Sequence, residues 1–176
     1  METLKAIASR KSIRSYTGEQ ISEDQLEKIL FAGSVAPVGG GAKNCIHLTV
    51  VQNQELLRKI STLTAKAIHL AEGADPLYNA PTLIIASGKI GSPFNDEVPN
   101  CACIVENMSI EATDLGLGSV YLGSFLNAIR IAPELNSELG IPDGFAAFAG
   151  LAVGYTNIDL SMEKEFKLTE NLNYIR

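Results

Sequence analysis

The stretch APTLIIAS, residues 80–87, is apolar at almost every position. A strand with one wet face alternates apolar and polar residues. This one does not, so it suits a sheet covered on both faces. Covering layers on both sides call for helices, and the rest of the chain has their signals.

ISEDQLEKILFAG (21–33) carries a helix start in which three features agree. Ser22 and Gln25 stand at capping-box spacing, and Ile21 and Leu26 at hydrophobic-staple spacing. Glu23 and Asp24 place negative charge in the first turn, where the helix dipole favours it. Leu26, Ile29 and Leu30 form the buried face, and Gly33 reads as the stop. IHLTVVQ (46–52) reads as a β-branched strand, and Asn53 as the cap of a helix bearing Leu56, Leu57, Ile60, Leu63, Ala67 and Ile68. Residues 91–100 read as a polar connection. Ile104, Val105, Met108, Ala112 and Leu115 then mark a central, largely buried helix running to about DLGLGS. Pro133 opens a short helix ending before Gly140, and GFAAFAGLAVGY (144–155) holds the last core strand. The tail from Asn157 has alternating apolar positions that suit a sheet edge or a partner chain. The reading is one α+β domain over residues 1–176, with a mixed central β-sheet flanked by helices.

Composition removes several function classes. The longest apolar run, FAAFAGLAV (145–153), is far below the roughly 20 residues of a membrane span. The first residues lack the apolar block of a secretory signal, so a cytoplasmic protein is expected, with no membrane partner. A formal net charge of -6 repels nucleic acid, so none is expected as a partner. Cys45, Cys101 and Cys103 make neither an even disulfide framework nor, with two histidines, a zinc set, and no metal is expected.

Against that charge, Arg10, Lys11 and Arg14 cluster around Ser12. Guanidinium forks and a serine hydroxyl can hold a phosphate, while an exposed basic turn accounts for the same spacing. The glycines at 39–41 admit close approach of a ligand to the backbone, or serve only as a flexible connection. LGLGSVYLGSF (115–125) ends a helix in glycines, able to present N–H groups to a ligand or simply to turn the chain. His47 and His69 read as structural or surface residues, and the cysteines as small buried hydrophobes. No hydrolytic constellation is present, so chemistry here points to a cofactor.

Taken in order, these segments resemble one family. SRKSIRSYTGEQIS is similar to the R-[RK]-S-[IV]-R-x-[FY] opening of the FMN-dependent nitroreductases. GSVAPVGGG falls at that family's A-P-S loop, and YNAPTLIIAS resembles its Y-x-A-P strand. NCACIVENMSIEATDLGLGSVYLGSF resembles its central helix ending in G-L-G-S, and LAVGYTN its L-x-x-G-Y strand end. The family's N-x-Q-P-W loop reads NCIHLTVV here.

The resemblance implies a nitroreductase-like homodimer with two FMN at its interface. It implies that Arg10 and Ser12 bind the FMN phosphate with Lys11 beside them, and that Arg14 lies near the flavin pyrimidine edge. Pro37, Val38 and Gly39 would line the flavin from the partner subunit, with Asn44 as the loop asparagine. Tyr121, Leu122 and Gly123 would present backbone groups to the ring, and Lys164 or Lys167 would close the phosphate site. The implied activity is an NAD(P)H oxidoreductase: NADH or NADPH donates, and a small electron-poor acceptor such as a nitroaromatic or quinone receives, by a ping-pong sequence. Chemistry would occur at flavin N5, with no catalytic side chain. A flavin-binding carrier or sensor without turnover is the alternative.

Overall fold

The computed structural model describes residues 2–92, 95–165 and 172–176. Its helices are α1 (Thr3–Ser9), α2 (Glu23–Ser34), α3 (Gln54–Ala67), α4 (Glu97–Asp114), α5 (Leu126–Ile131) and α6 (Leu135–Glu138). The strands β1 (Ile46–Val51), β2 (Thr82–Lys89), β3 (Gly118–Leu122) and β4 (Phe145–Gly154) form one sheet in the order β1-β2-β4-β3.

The expected two-sided strand is β2, and it runs beside β4 in the middle of the sheet. Leu83, Ile84, Ile85 and Ala86 are all fully buried. Because side chains alternate across a strand, Leu83 and Ile85 join Leu57, Ile60 and Phe125 on one face. Ile84 and Ala86 join Ile29, Ile104, Val105 and Met108 on the other. The sheet thus separates two apolar cores, one roofed by α3 and α5, the other by α4 with α2 behind it.

All three ladders are antiparallel. The mixed character expected from sequence shrinks to one parallel bridge, Ser12 to Ser119. The reason lies in the return after α3. Asp75 accepts from Ser61 Oγ (2.6 Å) and Leu77 N (2.9 Å), tying the loop back along the helix. The chain then enters β2 beside the end of β1, with Leu83 opposite Val51.

Local signals are met where they were clearest. Gln25 N donates to Ser22 Oγ (3.2 Å) and Ser22 N to Gln25 Oε1 (3.0 Å), so the capping box forms. Leu56 N donates to Asn53 Oδ1 (2.9 Å), capping α3. Five readings change. The cysteines are not all buried: Cys101 is, but Cys45 is half-buried and Cys103, on the outer face of α4, is exposed. Gly33 does not stop α2; it lies inside the helix, where a Cβ would stand 2.8 Å from Met108 Cγ, so it serves the close crossing of α2 and α4. The connection at 91–100 is shorter, since α4 begins at Glu97, and Pro99 is tolerated in the first turn, where its missing N–H has no helical partner. The glycine-rich stretch after α4 becomes β3, and the tail forms no strand among the described residues.

Candidate functional site

The basic segment is held to the sheet rather than left as a free turn. Ile13 N donates to Ser119 O (2.9 Å), beside the Ser12–Ser119 bridge. Ile13 and Tyr16 are buried in the α3-side core. The Tyr16 hydroxyl lies 2.9 Å from Ile13 O and 3.1 Å from Ala152 O, sharing its proton between them. Thr156 Oγ1 donates to Ser15 O (2.8 Å), and Thr17 N to Tyr155 O (2.9 Å). With Ile13 and Tyr16 turned inward, Ser12 and Arg14 stay exposed along the outer edge of β3.

Arg10 ends α1 and sets its Nε 3.3 Å from Glu106 Oε1 on α4. Lys11 Nζ donates to Asp159 O at 3.4 Å. Lys164 N donates to Ala8 O (3.0 Å), laying the C-terminal segment beside the end of α1. Lys167, the other candidate, lies outside the described residues. Tyr121, Leu122 and Gly123 begin two residues beyond Ser119, about 7 Å along the strand. Leu122 is buried, while Tyr121 and Gly123 are exposed. One edge of β3 therefore gathers Arg10, Lys11, Ser12, Arg14 and the 121–123 group.

The loop group stands apart. Gly39 N donates to Asn100 Oδ1 (3.0 Å) in the first turns of α4. Lys43 Nζ donates to the carbonyls of Ser34 and Ala36, securing the end of α2. Asn44 and Pro37 are exposed, and Val38 packs against the core between α2 and α4. The start of β3 touches α4 much further along, where the Ser109 and Ser119 hydroxyls meet at 3.0 Å, while Tyr121 at its far end lies near Cys101. Residues 100 and 109 are nine apart, so the two anchor points are separated by about 13 Å of helix rise. Within one chain, Pro37, Val38, Gly39 and Asn44 are not brought to the cations.

Two contributors were not singled out in the sequence: Glu106 as the partner of Arg10 and Asn100 as the anchor of Gly39. Tyr16 fills the last position of the opening motif, but its role as a brace shows only in the fold. Each depends on a contact between distant segments. A cleft of about 510 Å³ between α3 and the following loop is lined by Arg58, Lys66 and Leu77 and contains none of the expected residues. Among the described residues, no group of three His, Cys, Asp or Glu is placed to hold a metal ion, and no helix is long and apolar enough to cross a membrane.

Behind the β3 edge the environment is dry. Burial pushes the Cys101 thiol up to about 12 and raises Tyr16 as well; burial, with a smaller effect of Cys101, raises the half-exposed Tyr121. For Cys101 and Tyr16 the folded state keeps a proton that the unfolded chain releases at lower pH. Their stabilisation is complete below the ordinary thiol value and is lost as pH climbs toward the folded values. Stability measured by urea unfolding should therefore fall between pH 9 and about 12, and Cys101→Ala should flatten part of that fall. Equal stabilities at the two ends of this window would contradict the assignment.

Comparison with known proteins identifies the family. The chain matches the Nitroreductase family over residues 7–155. A provisionally named NADH dehydrogenase/NAD(P)H nitroreductase of Archaeoglobus fulgidus is 35% identical over 155 residues, spanning 88% of this chain and 85% of that protein. Among solved structures, a nitroreductase with bound FMN from Desulfitobacterium hafniense superposes with a TM-score of 0.88 at 24% identity, covering 100% of this chain and 99% of the other. One with bound FMN from Bacteroides fragilis gives 0.83 at 29% identity and covers both chains completely. The chain belongs to the nitroreductase family.

Proposed function

We infer that the protein is an FMN-dependent oxidoreductase that takes reducing equivalents from NADH or NADPH, its 176 residues acting as one domain within a homodimer. The observation that carries the reading is the donor set on the β3 edge. Among the described residues Arg10 pairs with Glu106 through Nε alone, and Ser12 and Arg14 are exposed, Arg14 with its charge near the Tyr16 phenol. Convergent donors of this kind fit a phosphate and the anionic edge of a flavin.

When bound, FMN supplies the two-electron exchange between nicotinamide and acceptor. The chain binds and orients. Arg10 and Ser12 hold the phosphate, with Lys11 and Lys164 or Lys167 adding positive charge. Arg14 places its cation at the pyrimidine edge, and Tyr121, Leu122 and Gly123 offer backbone groups to the ring. Pro37, Val38 and Gly39, with Asn44 nearby, form a wall for the flavin of the partner subunit, which accounts for their distance from the cations of their own chain. Leu4 and Ile7 on α1, Phe31 on α2, Val35 just after it and Val98 on α4 are exposed apolar residues, as an uncovered subunit face requires. A cytoplasmic location, a small-molecule acceptor such as a nitroaromatic or quinone, and ping-pong kinetics complete the reading.

The decisive experiment uses the purified protein. It should be yellow, release FMN on denaturation, bleach with NADH or NADPH in the absence of oxygen, and regain colour with menadione. A bound flavin that neither donor reduces would leave a carrier or sensor. A protein that takes up no added FMN would overturn both readings.

A further inference from the structure

The loop of Pro37, Val38 and Gly39 has little to hold it in one shape. Three glycines follow in succession, and Gly40 and Gly41 adopt left-handed φ values of 58° and 69°. Its internal bonds are two tight turns, Gly41 N to Val38 O (3.0 Å) and Ala42 N to Gly39 O (3.1 Å). Glycine backbones lose more freedom on ordering than any other residue. A loop of this composition keeps a defined shape only if something outside it imposes one.

Two side chains at the start of α4 do so. Asn100, 7% exposed, accepts from Gly39 N at 3.0 Å. Asp96 fills the space beside the same residue: a Cβ on Gly39 would stand 1.5 Å from Asp96 Oδ2 and 2.7 Å from its Cγ. Asp96 is itself held, because Ser92 Oγ donates to its Oδ1 at 2.9 Å. Its Oδ2 is buried without a hydrogen-bond partner. A carboxylate oxygen kept from water without a donor is unfavourable, so the packing of Asp96 on Gly39 is maintained by geometry rather than by pairing.

We propose that Asn100 and Asp96 are positioning residues that lock Gly39 and thereby set the shape of the wall presented to the partner subunit's flavin. The proposal rests on the flavin reading above. Asn100 supplies the bond and Asp96 supplies the volume, and together they explain why residue 39 is a glycine while Gly41, whose Cβ would meet nothing within 4 Å, is constrained only by its φ.

The test compares Asn100→Ala, which removes the acceptor, with Asn100→Asp, which keeps an oxygen in its place. In flavin-free protein, Asn100→Ala should speed amide exchange at Gly39 about ten-fold, the loss expected for one hydrogen bond, and Asn100→Asp should leave it near wild type. In protein loaded with FMN, Asn100→Ala should shift the visible flavin band and weaken FMN binding several-fold, while Asn100→Asp restores both. Gly39→Ala should reproduce the exchange defect, and adding Asp96→Ala should relieve it, since it removes the two nearest atoms, at 1.5 and 2.7 Å, and leaves the residue 96 Cβ at 3.6 Å.

Exchange at Gly39 that Asn100→Ala does not change overturns the lock, whatever the flavin does. Faster exchange with an unaltered flavin band and affinity overturns the flavin-facing role. A wild-type protein that binds no FMN overturns the proposed function and that role together. The exchange measurement, which needs no flavin, tells this last failure from a failure of the lock.

Discussion

Replacing Arg10 by alanine should weaken FMN binding by about ten- to a hundred-fold while leaving the folded protein nearly as stable as before. The loss follows from the geometry of a guanidinium, which offers paired donors to phosphate oxygens. A charge-assisted hydrogen bond contributes about 1.5–3 kcal/mol, and each 1.4 kcal/mol is a factor of ten. Stability is largely spared because Arg10, itself mostly covered, pairs among the described residues only with the half-exposed Glu106, where water screens the attraction. Fluorescence titration of flavin-free protein measures the effect, and raising the salt concentration should shrink the gap between wild type and variant. Glu106→Gln supplies the opposing case: with its competitor neutralised, Arg10 should bind the phosphate more tightly. Unchanged affinity in the alanine variant removes the phosphate role assigned to Arg10.

Phe125→Ala should be the most damaging single change to stability. The ring is fully buried and lies over the central strand β4 at Gly150, where a Cβ would stand 2.7 Å from Phe125 Cε1. That glycine leaves a recess which the ring fills, with Leu83 at its side. Removing a buried phenylalanine costs about 3–5 kcal/mol, because the cavity relaxes only in part. For a chain of this size each kcal/mol lowers the melting temperature by about 2–4 °C, so a fall of roughly 6–20 °C is expected. Phe125 follows two residues after Gly123, so the variant should also bind FMN more loosely through disorder at the end of β3. Calorimetry together with flavin titration separates the two effects. A fall of only a degree or two would mean that Phe125 does not anchor this core.

What could be read from the residues, and what could not, divides by the range of the contacts involved. The start of α2 was legible because Ser22, Gln25, Ile21 and Leu26 all act within one turn of each other. The two-sided burial of β2 was legible because its alternation is absent from the string itself. β3 was not. It is five residues long and opens with a glycine, and its backbone bonds go to β4 and to Ile13, far away in the chain. Gly33 misled for a similar reason: a glycine at a helix end and a glycine at a helix crossing look alike until Met108 is placed against it. The cations at 10–14 could be named from the resemblance. Their confinement to one sheet edge, and the separation of the 37–39 loop from the cations, depend on the length of α4 lying between the Asn100 and Ser109 anchors.

The Tyr16 brace has a mechanical consequence. Its phenol spans Ile13 O and Ala152 O, so the strip carrying Ser12 and Arg14 moves as a body with β4, one of the two central strands. The helix before the strip is seven residues long, and Leu4 and Ile7 lie exposed on it. Local opening begins in such segments. Opening of α1 can thus run its course up to Arg10 and stop there, while the serine and the second arginine keep their places on a support that yields only when the whole sheet does.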